Sequence, residues 1–175
     1  MTGRAVRTAA WLLCALLFCP RPLPAQPPAG AALLENRAYA GKLMQRVREA
    51  KRRIICAFYL FKVGERKGNL PAAIAVELIK ARQRGVEVTV ILEGGKTVWD
   101  ANRHTASLLL RGGVKVVFPS RHAVTHAKVV AIDDRWVMIG SHNLTQSALQ
   151  HNNELSVELA SPELALEARR YLEGL

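Results

Sequence analysis

Aromatic residues are scarce in this 175-residue chain, at 6% of the total. No segment is rich in them, which argues against a surface that reads nucleobases by stacking. Cysteine is rarer still, with Cys14, Cys19 and Cys56 the whole supply. Two of these fall in an N-terminal leader, so the remainder supports neither a disulfide framework nor a cysteine-based zinc site. Cys56, inside RRIICAFYLF, reads as a small buried hydrophobe. Long apolar runs are missing: the uncharged stretch at residues 9–18 is about ten residues, half of the roughly 20 a membrane span needs. Acids are also short, 14 against 25 bases, for a net charge of +11.

What is present at the N-terminus has the layout of a secretory signal peptide. Arg4 and Arg7 form a basic leader, residues 9–18 an apolar run, and PRPLPAQPPAG a proline-rich break with Leu23-Pro24-Ala25 as a cleavage site. Residues 1–25 are therefore expected to be a signal peptide, 26–35 a linker and 36–175 the folded domain, in a periplasmic or secreted protein. A retained leader acting as a membrane anchor is the alternative. Cleavage removes three of the 25 bases and none of the 14 acids, so the net charge falls from +11 to +8. An excess of that size suits an anionic partner, either nucleic acid or an anionic lipid surface.

Helical and strand patterns alternate through the domain, which predicts an α/β layered fold. Helical spacing runs from 36 to 53, and IICAFYLF (54–61) reads as a strand buried on both faces. Further helices are expected at 70–84, 101–110, 143–149 and 162–172, and strands at 86–92, 114–119, 127–132, 136–140 and 154–160. Asp133-Asp134-Arg135 reads as the tight turn of a hairpin. No internal repeat is visible.

Within THAKVVAIDDRWVMIGSHNL (125–144), His126 and Lys128 are two apart in a strand and so project from one face. The hairpin brings them beside Gly140, Ser141 and Asn143 at the end of the next strand. Asn143 is expected to cap the following helix with Gln146 closing a capping box, and a helix start attracts phosphate. An imidazole, an ammonium and hydroxyl and amide groups converging on one spot suit a phosphoryl group better than a carbonyl.

The run His126-x-Lys128, Asp133, Gly140-Ser141-x-Asn143, with Glu154 eleven residues on, resembles the HKD motif of the phospholipase D superfamily. The element order is similar to its small single-motif bacterial endonucleases. The resemblance implies a mixed β-sheet sandwiched between helices, and a metal-independent phosphodiesterase acting through a covalent phosphohistidine with no cofactor and no metal. His126 would be the nucleophile. Lys128, Ser141 and Asn143 would hold the non-bridging oxygens, and Glu154 would accept a hydrogen bond from His126. Gly140 belongs to the motif, and Asp133, turned to the other face at the hairpin, is expected to be structural. Two motifs make one site in this family and the chain has one, which implies a homodimer. The resemblance favours an endonuclease acting on the backbone of DNA or RNA, DNA first. The alternatives are a phospholipase D-type lipid phosphodiesterase and a non-catalytic module binding nucleic acid or a membrane surface.

Other signals carry less. GGKT (94–97) has Val90 where a P-loop needs its first glycine, although Lys96 could line a substrate groove. His122 and His126 have no third partner for zinc. His104, His142 and His151 read as surface or loop residues. The basic runs at 51–53 and at Arg82 and Arg84 read as solvated helix ends that a dimer would double.

Overall fold

A computed structural model describes residues 30–119 and 123–175. The leader at 1–25, the first residues of the expected linker, and His122 lie outside the described residues. Seven strands form one mixed sheet: β1 (Ala31–Glu35), β2 (Arg53–Phe58), β3 (Glu87–Leu92), β4 (Lys115–Val117), β5 (Lys128–Ile132), β6 (Trp136–Gly140) and β7 (Leu155–Ala160). Their spatial order is β1-β7-β6-β5-β2-β3-β4. β2, β3 and β4 are mutually parallel, while β5 is antiparallel to β2 and opens an antiparallel half that continues through β6, β7 and β1.

Among the described residues, five helices cover this sheet: α1 (Ala38–Glu49), α2 (Leu70–Gln83), α3 (Trp99–Arg111), α4 (Gln146–Gln150) and α5 (Pro162–Glu173). Alternation along the strands divides the apolar residues between two layers. Ile54, Cys56, Phe58, Val88, Val90, Leu92, Val130 and Met138 face the layer that includes Leu43 and Val47 of α1, Ile74 and Leu78 of α2, Leu109 of α3 and Leu149 of α4. Ile55, Ala57, Ile91, Val129, Ala131 and Val137 face Ala165 and Leu172 of α5. The mixed, helix-flanked α/β architecture is the one the motif resemblance implies.

Local chemistry explains the element ends. Asn69 caps α2 by accepting from the Ala72 N–H, with Pro71 in the first turn, and Ser161 caps α5 by accepting from Leu164. The β5–β6 turn places both Asp133 and Asp134 at positive φ, 56° and 52°, the geometry of a type I′ hairpin. The Asp133 carboxylate accepts from the N–H groups of Lys51, Arg52 and Arg53 at 2.8, 2.8 and 2.9 Å. That clamp fixes the start of β2 to the hairpin, so the 51–53 run is a structural junction as well as a basic surface. Burial opposes ionisation of Asp133, but these three donors outweigh it and hold its pKa below the ordinary value.

Two expectations are corrected here. Residues 31–35 form an edge strand paired with β7, Leu33 opposite Val157, where a linker was expected. β2 ends at Phe58, and Phe61 instead makes an isolated bridge to Leu144, because the chain beyond Tyr59 bonds to side chains of α3 and the motif loop.

Candidate functional site

The site lies where the parallel half of the sheet meets the antiparallel half. Phe58, the last residue of β2, pairs with Lys128, the first of β5. His126 precedes β5 by two residues. Continuing the Val129–Ile139 register one step sets Lys128 opposite Gly140. The hairpin thus gathers the motif's two ends as expected.

His126 is exposed while Lys128 is 8% exposed. The Lys128 ammonium lies 3.1 Å from both ring nitrogens of His126 and donates to the His126 carbonyl at 2.7 Å. Burial lowers the Lys128 pKa, and the Glu154 carboxylate opposes that shift. Tyr59 completes this corner: its ring centroid is 4.8 Å from that of His126, and Lys128 Nζ lies 5.5 Å from its face. The Asn143 side-chain oxygen accepts from the Leu60 N–H at 3.2 Å. An N–H can meet only the oxygen, so the amide orientation is fixed and its NH2 remains available as a donor.

Ser141 and Glu154 form a second unit. The Ser141 hydroxyl donates to the Glu154 carboxylate and accepts from the Leu155 N–H. Glu154 also accepts from Asn152 at 3.0 Å. Among the described residues it receives no hydrogen bond from His126, contrary to expectation. Gly140 is required sterically: a Cβ there would stand 2.4 Å from Ser156 Cα and 2.5 Å from the Leu155 carbonyl.

The expected helix cap is also corrected. α4 begins at Gln146 and Thr145 caps it by accepting from Ala148. Asn143 is committed to Leu60, and the Gln146 side-chain oxygen accepts from Leu70 at 2.9 Å, so no capping box forms. His142, expected at the surface or in a loop, does lie in the loop between β6 and α4 but is fully buried, stacked on Tyr39 at 4.3 Å with an interplanar angle of 6°. Its Nε2 lies 2.9 Å from the Asn36 carbonyl and its Nδ1 2.7 Å from Ser156 Oγ. A carbonyl only accepts, so Nε2 carries the proton and Ser156 donates to Nδ1. Burial holds His142 below the usual histidine pKa, with the Asn36 bond and Glu154 opposing. Asn36 in turn exchanges bonds with Glu154 at 2.8 and 2.9 Å, so His142 braces the Ser141–Glu154 unit from behind.

Several supporting residues leave no trace in local patterning. Glu93, 7% exposed, accepts from Gly95 and from Thr125, both at 2.6 Å, tethering the residue before His126. Fully buried Asn102 donates to the carbonyls of Tyr59 and Glu93 and accepts from Phe61. Thr105 binds Phe61 and Val63. Beside His126, Ala127, Val129, Ile139, Ala168 and Tyr171 line a largely apolar hollow of 580 Å³. Lys96, Trp99 and Val124 line a second, of 460 Å³.

This geometry defines a class first: a layered α/β domain that presents an exposed imidazole, a largely buried lysine and an amide with its NH2 available at a sheet switch point, a position where such folds bind ligands. Residues 43–175 match the family described as cardiolipin synthase, PLD-like domain. The chain is 32% identical over 130 residues to cardiolipin synthase B of Escherichia coli, covering 73% of this chain and 30% of that protein. It is 31% identical over 98 residues to a phospholipase D of Rickettsia conorii, covering 56% and 48%. The match thus spans less than half the length of either relative. In fold it is similar to the phospholipase D family member Nuc from Salmonella typhimurium, with TM-score 0.70, 21% identity and coverage of 82% and 93%. NucT from Helicobacter pylori gives 0.63, with the same identity and coverage. The chain belongs to the phospholipase D superfamily.

Proposed function

We propose that this protein is a metal-independent phosphodiesterase that cleaves the nucleic-acid backbone, DNA foremost, as a homodimer. The observation that carries the reading is the exposed His126 imidazole set against Lys128 and Tyr59, with the Asn143 side chain anchored on Leu60, the residue after Tyr59. One ring nitrogen of His126 attacks phosphorus, and the phosphorus–oxygen bond to the leaving group breaks. Splitting the displacement through a phosphohistidine replaces one hard step by two easier ones. The leaving oxygen needs a proton, and the motif supplies one histidine per chain. His126 of the partner subunit donates it, then takes a proton from water as that water displaces the first histidine from phosphorus. Lys128 and the Asn143 NH2 face the non-bridging oxygens as charge develops on them.

An apolar surface supports a second copy here. Val124, Ile139, Leu155 and Tyr171 are exposed at 68, 46, 52 and 59%; Val124 lies two residues before His126, and Ile139 and Tyr171 line the hollow beside it. Self-association would bury them and bring two sites together about a two-fold axis. The basic balance supports nucleic acid. The same apolar hollow beside His126 favours a second reading, a lipid phosphodiesterase, in which it would receive an acyl chain. The leader read at 1–25 makes a periplasmic or secreted location part of this proposal.

The test is cleavage of plasmid DNA by the full chain in EDTA, beside a His126→Asn control, with RNA and phospholipid vesicles as parallel substrates. Nicking that survives EDTA and disappears in the control is expected. Lipid turnover without DNA cleavage would overturn the nuclease reading in favour of the second. Sedimentation as a monomer with full activity would overturn the composite site.

A further inference from the structure

The cations of this molecule are compensated unevenly. At the end of the sheet far from His126, Arg52 and Arg169 pair with Asp134 at 3.7 and 2.8 Å, and Arg53 pairs with Glu87 at 2.8 Å. On the neighbouring helices Arg48 meets Glu77 at 3.1 Å, and Arg82 and Arg84 donate to backbone carbonyls. Among the described residues, Lys51, Lys115 and Arg135 there are in no ion pair.

At the catalytic end the pattern reverses. Lys62, Arg66, Lys67 and Lys96 are all exposed, and among the described residues none is in an ion pair. Glu93, the buried acid nearby, is occupied by two backbone N–H groups. These cations are tied to the site through the backbone. The Leu60 N–H bonds Asn143, the Lys62 N–H bonds the Leu144 carbonyl, and Asn69 holds Gly64 and reaches Gln146. Lys96 shares its hollow with Val124, two residues before His126. The loop at 62–67 and Lys96 therefore flank the scissile position from two separate elements.

We propose that these four cations form a track for the phosphates flanking the scissile one, so that the partner of this surface is a linear polyanion, a nucleic-acid strand. The inference rests on the nuclease reading and extends it beyond the reacting phosphate. Held side chains around His126 position one phosphate; exposed, unpaired ammonium and guanidinium groups on two flanking loops bind its neighbours without reading sequence. A membrane surface fits the 62–67 loop less well, because no residue between 60 and 69 is a large exposed apolar group, which interfacial docking requires.

The test compares Lys62→Ala/Arg66→Ala/Lys67→Ala with a far-end control of equal charge change, Lys51→Ala/Lys115→Ala/Arg135→Ala. Binding of a fluorescein-labelled 20-nucleotide DNA duplex by the full chain is measured from 50 to 300 mM NaCl. Each phosphate contact removed flattens the slope of log affinity against log salt by about 0.9. The loop variant should lose about 2 to 3 units of slope and at least about 10-fold in affinity at low salt, and the control almost none. Adding Lys96→Ala should flatten it by about one unit more. Equal losses in the two triple variants, or an unchanged slope in a loop variant, overturn the track while wild-type cleavage of DNA leaves the nuclease reading standing. Absence of DNA cleavage by the wild type overturns that reading and this one with it. A loop variant that loses only anionic-vesicle binding assigns the surface to lipid and overturns the track.

Discussion

Gly140→Ala should be among the most disruptive single-methyl changes in this chain, and its cost can be worked from contacts. The new Cβ would lie 2.4 Å from Ser156 Cα, while ordinary contact begins near 3.4 Å, so β6 and β7 must part by about 1 Å. Backbone atoms cannot rotate away as a side-chain tip could. Overpacking of this kind costs about 1–3 kcal/mol. Parting the strands also strains the bond from the Ser141 N–H to the Leu155 carbonyl and that from the Leu155 N–H to Ser141 Oγ, both 3.1 Å, at about 1 kcal/mol each. The sum, about 3–5 kcal/mol, corresponds to a fall in Tm of at least about 6 °C for a domain of this size. Circular-dichroism melting reads it directly. Gly41→Ala is the control: it sits on the exposed side of α1 with nothing within 4 Å of a Cβ, and should stabilise by about 0.5–1 kcal/mol. A Gly140→Ala protein melting within 2 °C of wild type (~0.5–1 kcal/mol) with unchanged activity would refute the argument that β7 passes too close for any side chain.

Asp133→Ala should cost about 2–3 kcal/mol, since it orphans three N–H groups and puts alanine at positive φ, whereas Asp133→Asn should lose less. Because folding depresses the Asp133 pKa below 3.8, its contribution is present above that pH and lost as pH falls through the folded value; acid titration of wild type against the asparagine variant checks the sign. Tyr59→Leu should lower kcat up to about 10-fold with KM little changed, because an aromatic contact worth about 0.5–1.5 kcal/mol orients His126; a KM effect alone would assign Tyr59 to substrate binding. His142 is held neutral, its pKa below 6.5, so wild-type stability should be intact above that pH and decline as pH falls below it. His142→Phe should melt lower throughout and lack that pH dependence, as urea titrations at pH 5 and 8 would show.

Legibility followed sequence distance. The hairpin that gathers His126, Lys128, Gly140, Ser141 and Asn143 is contained in 18 residues of chain, and its turn announces itself as Asp133-Asp134. Strand alternation and turn chemistry suffice for such a unit. Tyr59 reaches His126, Glu93 reaches Thr125 and Asn102 reaches Tyr59 across separations of 32 to 67 residues, through hydrogen bonds or ring contacts that leave no periodicity. His142 looked exposed because its immediate neighbours, Ser141 and Asn143, are polar; Tyr39 and Asn36, more than 100 residues earlier, bury it. β1 was hidden for the same reason: AALLE follows a proline-rich stretch, and its partner strand comes more than 120 residues later.

The topology also explains why charge could concentrate at one end without endangering the fold. Parallel β2 and β3 both emit their loops at their carboxyl ends, and β5, running the other way, begins there. Every feature of the site follows from that crossing: Tyr59 leaves β2 as His126 and Lys128 enter β5, and the loop after β3 reaches Thr125 through Glu93. The anchors of these loops are backbone groups held by Asn69, Asn102, Thr105 and Asn143. Charged side chains on the loops are therefore free of structural duty, unlike the Arg52, Arg53 and Asp133 junction at the opposite end. Substitutions at Lys62, Arg66, Lys67 or Lys96 should accordingly change what the surface attracts while leaving Tm within about 2 °C of wild type (~0.5–1 kcal/mol), whereas Asp133→Ala at the other end should do the reverse.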